Sequence, residues 1–267
     1  MCLIALSWRT HPRYRLALIA NRDEFHGRPA LAAAADPDVP DVYGGRDLQQ
    51  GGSWLLASTR GRLAAVTNVR AGPDPEQRPL SRGALVRGYV TGSTSPQQYL
   101  QSLEPDAPRY GRFNLLAWHD GTLQFCSNHP QFQHLEVTPG LHAMSNGPFD
   151  APWPKSTRAI DALGRWLDEQ RPGASLEEQD LPTLEPLFDA LADTSTAPDE
   201  ALPDTGVGVV LERALSPPFI AGERYGTRCS TVVLVDDQAI VFAERRFGPN
   251  ARPAGTSLRR LVLRDAI

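Results

Sequence analysis

The sequence predicts an α+β fold in which strands from both ends of the chain share sheets and helices pack outside them. Three observations predict it. Strand-length apolar runs separated by turn residues fill residues 3–25, 53–68, 113–145 and 230–244. Helical spacing of apolar residues is confined to the middle, at 81–103, 155–169 and 181–191. A length of 267 residues with 41% hydrophobic content supplies one large core, so a single domain over 1–267 is expected.

The first element is a hairpin: Leu3–Ser7, a polar stretch around His11-Pro12, then Leu16–Ala20 running into Asn21-Arg22-Asp23-Glu24-Phe25. Its start carries chemistry. A cysteine in second place becomes the N-terminal residue if Met1 is removed, and its thiol then adjoins a free α-amine. With a pKa of about 8 the amine is partly unprotonated near neutral pH and can accept the thiol proton. Alone, Cys2 reads as a small buried hydrophobe, and Asn-Arg-Asp-Glu as a turn with a surface ion pair. On one hairpin they bring nucleophile, cation and carboxylate to one neighbourhood.

Residues Pro29 to Pro40, rich in alanine and proline, read as a connecting loop. Gly44-Gly45-Arg46-Asp47 and Gly51-Gly52 bracket a strand at Ser53–Ala57, and the Arg60-Gly61 turn leads to another at Leu63–Asn68. The glycine pairs read as sharp turns or bulges, with close backbone approach to a substrate as the functional alternative. Helices are expected at Ser81–Tyr89, with Ser81 as N-cap, and at Ser95–Leu103, with Pro96 in its first turn. Strands Phe113–Trp118 and Thr122–Ser127 flank a His119-Asp120-Gly121 turn, and Leu141–Ser145 is a further strand. Ile160, Leu163, Trp166 and Leu167 mark an amphipathic helix over Lys155–Glu169, and Leu181–Leu191 reads as another. Residues 193–206 are an acidic surface loop. The last hairpin pairs Ser230–Val235 with Ala239–Glu244 across Asp236-Asp237.

Composition narrows the function. A net charge of −4 argues against a nucleic-acid partner, which needs a basic face. Lys155 is the only lysine, so positive charge is almost wholly guanidinium, suited to planar anion recognition. No apolar run is long enough for an integral membrane segment. The short run Leu3–Leu6, soon followed by Arg9, does not resemble a signal peptide, and a cytoplasmic location is expected. Cys2, Cys126 and Cys229 have no paired spacing, and the histidines form no HExxH, so neither disulfide nor metal site is expected.

The strings Met1-Cys2-Leu3-Ile4, Asn21-Arg22-Asp23-Glu24-Phe25, Gly44-Gly45-Arg46-Asp47, Gly52-Ser53-Trp54, Thr67-Asn68-Val69-Arg70, Ser81-Arg82-Gly83, Ser145-Asn146-Gly147-Pro148, Trp153-Pro154-Lys155 and Tyr225-Gly226-Thr227-Arg228-Cys229-Ser230-Thr231 together resemble the NRDE family. This is the family of transport and Golgi organisation protein 2. The likeness runs in motif order along the chain except at 170–215. It implies an αββα sandwich of N-terminal nucleophile (Ntn) hydrolase type, distantly similar to choloylglycine hydrolases and penicillin V acylases, which cleave amides with an N-terminal cysteine. Carried over position by position, it implies Cys2 as nucleophile and Asp23 as the aspartate that orients the amine. Asn68 then stands for the oxyanion-hole asparagine, Asn146 for the later asparagine, and Arg228 for the late arginine near the pocket. Either Arg22 or Asn21 takes the place of the family's substrate-side arginine.

Each role has a chemical reason. An asparagine N–H aimed at an oxyanion contributes a few kcal/mol, and arginine can lower a thiol pKa. Two functions follow from the resemblance. One is cysteine-dependent hydrolysis of a carbon–nitrogen amide bond in a small molecule, with no cofactor. The alternative is a non-catalytic carrier of haem or of an acyl lipid or acyl-coenzyme A, since members are linked to haem trafficking and lipid metabolism. For haem, His11, His26, His119, His129, His134 and His142 have no distinguishing context, leaving Cys2 thiolate as another ligand. Arginines would pair with propionates or phosphate. No feature of the sequence bears on oligomeric state.

Overall fold

The structure, a computed structural model, describes residues 3–72, 78–172 and 176–264. In chain order the described elements are β1 (Leu3–Trp8), β2 (Leu16–Phe25), β3 (Ala30–Ala35), β4 (Val42–Asp47), β5 (Leu55–Ser58), β6 (Arg62–Asn68), α1 (Arg82–Thr91), α2 (Pro96–Ser102), β7 (Phe113–His119), β8 (Thr122–Ser127), β9 (Gln133–Glu136), β10 (Gly140–Met144), α3 (Pro154–Asp168), α4 (Leu181–Leu191), α5 (Val209–Ala214), β11 (Tyr225–Val235), β12 (Ala239–Phe247) and β13 (Pro253–Val262).

The strands form two antiparallel sheets, ordered β10-β1-β2-β11-β12-β13 and β3-β4-β5-β6-β7-β8-β9. Alternation along each strand assigns the layers. Ile4, Leu6, Leu18 and Ala20 face the second sheet, where Leu55, Leu116 and Phe125 meet them. Leu3, Ala5, Ala17 and Ile19 face the other way, against Leu163 and Trp166 of α3 and Leu184 and Phe188 of α4. The second sheet turns Val42, Val66 and Leu115 outward against Val86 and Tyr89 of α1. Both faces of each sheet are therefore covered, which is why β1 and the first half of β2 are continuous apolar runs. The result is an αββα sandwich, with the chain ends joined where β2 pairs with β11.

Local chemistry starts the helices where the sequence places them. Ser81 accepts from the Gly83 N–H to cap α1, Ser95 accepts from the Gln98 N–H ahead of Pro96, and Asp180 forms a capping box with Thr183.

Five segments differ from expectation. Residues 29–40 contain β3 rather than only a loop, and Gly44–Asp47 lie inside β4. Alanine has weak strand preference, and what holds β3 is tertiary: its register breaks between Leu31 and Ala34, and the Ala33 N–H is taken by Glu244 Oε1 at 2.8 Å. Polar β9 is exposed throughout and survives as an edge by pairing with β8. A third strand, β13, follows the last expected hairpin and pairs along β12. The stretch after the acidic loop winds into α5.

Candidate active site

The expected site residues gather where β1 begins. Cys2 lies outside the described residues. Leu3 opposes Asn21 on β2, and Ile4 opposes Met144, the last residue of β10. The start of β1 thus has Asn21-Arg22-Asp23 on one flank and Ser145-Asn146 on the other.

On the β2 flank, register with β11 sets Asn21 against Ser230, Arg22 against Cys229 and Asp23 against Thr227, leaving Arg228 in a bulge. Asn21 is fully buried, and its Nδ2 donates to the carbonyls of Leu191 and Pro218, both at 2.8 Å, while Oδ1 accepts from Ser230 Oγ at 2.6 Å. Both N–H groups of this amide are committed to tying β2 to the end of α4 and to the approach to β11. Asp23 Oδ1 accepts from Thr227 Oγ1 at 2.6 Å. That hydroxyl accepts in turn from the Ile220 N–H at 2.9 Å, so its single proton is directed to the carboxylate.

Alternation turns Arg22 to the other face of β2, between the sheets. Its guanidinium carbon lies 4.3 Å from the centroid of the Trp54 ring, a cation–π contact across the sandwich, and its carboxylate neighbour is Glu24 at 3.8 Å. Arg228 Nη1 donates to the carbonyls of Phe25 (2.9 Å) and Arg28 (3.0 Å). Burial, and then the charge of Arg22, lower its pKa.

The β10 flank holds a linear relay. Lys155 Nζ, in the first turn of α3 and 3% exposed, donates to Asn146 Oδ1 at 3.2 Å. Asn146 Nδ2 donates to both the carbonyl and Oδ1 of Asn68, each at 3.0 Å. An ammonium can only donate, so it fixes which end of the Asn146 amide faces it, and that choice sets the Asn68 amide in turn. The structure thus brings Asn68 and Asn146 into contact, sets Asp23, Arg22 and Arg228 on adjacent strands, and turns Asn21 into the helix side.

Lys155 and Thr227 were not singled out as site residues by sequence. For Lys155 a signal existed: it lies on the buried stripe of Ala159, Leu163 and Trp166, where a lone lysine is out of place. The motif glycines answer to packing. A Cβ on Gly45 would stand 2.1 Å from the Trp54 ring, one on Gly147 2.4 Å from Trp153, and one on Gly52 2.3 Å from the Gly83 backbone. Close packing against the Trp54 and Trp153 rings and the Gly83 backbone accounts for glycine at these three positions.

Between the sheets, Glu244 is 1% exposed, and burial raises its pKa despite the Ala33 N–H, Cys229, Arg246 and Arg22. A raised folded-state pKa means stability present below the unfolded value of about 4.3 and lost as pH rises through the folded one. Glu244→Gln is therefore expected to gain in melting temperature relative to the parent as pH rises from 5 to 8. Parallel thermal melts check this, and a constant or shrinking difference would contradict it.

Among the described residues no group of three or more His, Cys, Asp or Glu could hold a metal ion, and no described helix is long and apolar enough to cross a membrane.

The two stacked antiparallel sheets between helical layers recur in solved structures. The Caenorhabditis elegans ortholog of N-acylethanolamine-hydrolyzing acid amidase superposes with a TM-score of 0.52 at 9% identity, over 87% of this chain and 92% of that one. A cysteine-to-alanine mutant of the conjugated bile acid hydrolase from Clostridium perfringens gives 0.50 at 8% identity, over 96% and 92%. The fold is that of the Ntn hydrolases. The chain belongs to the Transport and Golgi organisation 2 family, whose profile matches residues 1–249. The human transport and Golgi organization protein 2 homolog is 32% identical over 265 residues, 92% of each chain. The Drosophila melanogaster protein is 30% identical over 172 residues, 56% of this chain and 60% of that one.

Proposed function

We propose that this protein is a cysteine-dependent hydrolase of a carbon–nitrogen amide bond in a small molecule. The observation that carries the reading is the Lys155–Asn146–Asn68 relay beside the start of β1, opposite the buried Asp23–Thr227 pair. The named activities of the two solved structures, an acid amidase and a conjugated bile acid hydrolase, agree with it. Cys2 directly precedes Leu3, the first residue of β1, in the chain.

In the proposed cycle the α-amine of Cys2 takes the thiol proton, and sulfur attacks the amide carbon, sending the carbonyl electrons to oxygen. With Oδ1 of Asn68 turned to Asn146, the Nδ2 end of Asn68 is the donor for that oxyanion. Asn146, whose Nδ2 is committed to Asn68, positions it. Collapse breaks the C–N bond, the leaving amine receives the proton from the α-ammonium, and water then cleaves the thioester with the α-amine as base. Asp23, held by Thr227, orients the amine. No metal or cofactor is needed. His142, with Nδ1 on Asp150 and Nε2 on the Thr138 carbonyl, has both ring nitrogens committed and is not available as a haem ligand.

Intact-mass analysis after incubation with a panel of acyl amides tests the proposal. An acyl adduct on a chain beginning at Cys2, absent from Cys2→Ala, is expected. Retention of Met1 on protein from its native host, or no adduct with any amide, would overturn the mechanism and favour a binding role for acyl lipids or haem.

A further inference from the structure

Residues 245–264 carry six arginines and no aspartate or glutamate, in a chain whose net charge is −4. The stretch runs from the end of β12 through β13, the outermost strand of the six-stranded sheet. Arg245 pairs with Glu185 at 2.7 Å and Arg260 with Glu177 at 3.4 Å, while Arg264 lies 3.9 Å from Asp41, which Arg60 already holds at 3.0 Å. Arg252 and Arg259 are exposed and form no ion pair with a described residue.

The same strand has an unused side. Thr256–Val262 pair without a break in register with Arg245–Ala239 of β12, and no described strand pairs with the other edge. Leu263 N–H continues the ladder to the Gln238 carbonyl at 2.7 Å, whereas Arg264 N–H turns away from it to the Thr59 carbonyl at 2.9 Å. Alternation back along the strand points the main-chain N–H and C=O groups of Thr256, Leu258, Arg260 and Val262 outward. Side chains divide likewise. Arg259 lies opposite Phe242, on the face toward the second sheet, and Leu258 and Val262 lie opposite Ala243 and Ala239, on the helix side.

An open edge is a template for any added strand, and here charge selects among them. A second copy added edge to edge would bring arginine rows together, and like charges on neighbouring strands repel. A nucleic-acid duplex has no main-chain ladder to pair. We infer that the outer edge of β13 binds an extended acidic segment of a partner protein as an added strand, its carboxylates on the Arg259 face and its apolar residues beside Leu258 and Val262. The inference uses no residue of the candidate active site and no chemistry at Cys2, so it goes beyond the hydrolase reading.

Fluorescence anisotropy of the full chain tests it, with a labelled peptide alternating glutamate and valine over about seven residues, the length of the regular ladder. Saturable binding is expected. The same peptide with glutamine for glutamate, or with alternate main-chain nitrogens methylated to block one strand edge at a time, should bind at least tenfold more weakly in the neutral form and in one of the two methylated forms. Arg259→Glu and Leu258→Pro, each shown to melt cooperatively, should also weaken the acidic peptide at least tenfold; the proline removes an outward N–H and leaves the β12 ladder intact. No saturable binding, equal binding of the glutamine peptide or of both methylated peptides, or affinity unmoved in both variants would overturn the inference. A dimer in sedimentation that Leu258→Pro dissolves would assign the edge to a second copy and overturn it too, as would a DNA duplex that binds more tightly than the peptide. Amide turnover enters none of these outcomes, so failure here and failure of the hydrolase reading are told apart.

Discussion

Gly52→Ala is expected to destabilise the protein by about 4 kcal/mol, at the extreme of single substitutions, and to lower the melting temperature by roughly 10 °C. The added Cβ would lie 2.3 Å from the Gly83 carbonyl carbon and 2.7 Å from its Cα and oxygen. These are backbone atoms and cannot yield as a long side chain would. Ser53 N–H donates to the Gly83 carbonyl at 3.2 Å, and Gly83 N–H is held by the Ser81 cap of α1. Separating the two glycines therefore breaks the junction between the lead into β5 and the start of α1. Gly51→Ala is the control: Gly51 has a φ of +73° but nothing within 4 Å of a Cβ, so it should show backbone strain alone, about 1–2 kcal/mol. Thermal melts of the two variants decide the matter, and equal losses would deny the glycine contact its role.

Lys155→Met should lower kcat about a hundredfold on any amide that acylates Cys2, the scale of losing one oxyanion donor, with KM little changed. Methionine preserves the length and burial of the side chain but releases Asn146 Oδ1, and with it the orientation that Asn146 imposes on Asn68. Asn68→Ala should give a similar loss, and the double variant should lose little more, because the two substitutions disable one device. Fully additive losses would show that Lys155 acts independently of Asn68. A collapse of the melting temperature in Lys155→Met alone would make it a structural residue.

Much of the architecture was legible because both faces of the central strands are buried. Continuous apolar runs marked β1, β2, β7, β8, β11 and β12, and serine caps marked α1 and α2. The misses share a cause. Alanine-rich β3, polar β9 and arginine-bearing β13 are held by partners distant in sequence, such as Glu244 on Ala33 or the pairing of β13 along β12, and local preference does not report such partners. At the site, the motifs located the right strand ends but not the direction of each side chain. One residue's difference in register sends Asn21 to the helix layer and Arg22 between the sheets. The relay through Lys155 depends on where α3 docks against β1 and β10, which periodicity alone does not specify.

The burial of Lys155 has a practical consequence. The chain has a single lysine, and it is 3% exposed, so the folded surface offers amine-directed reagents no lysine side chain. An activated ester added to the native protein reports on the α-amine alone, the group assigned as the base. Labelling at Lys155 then measures how often the packing around α3 opens, which makes this residue an internal clock for local unfolding.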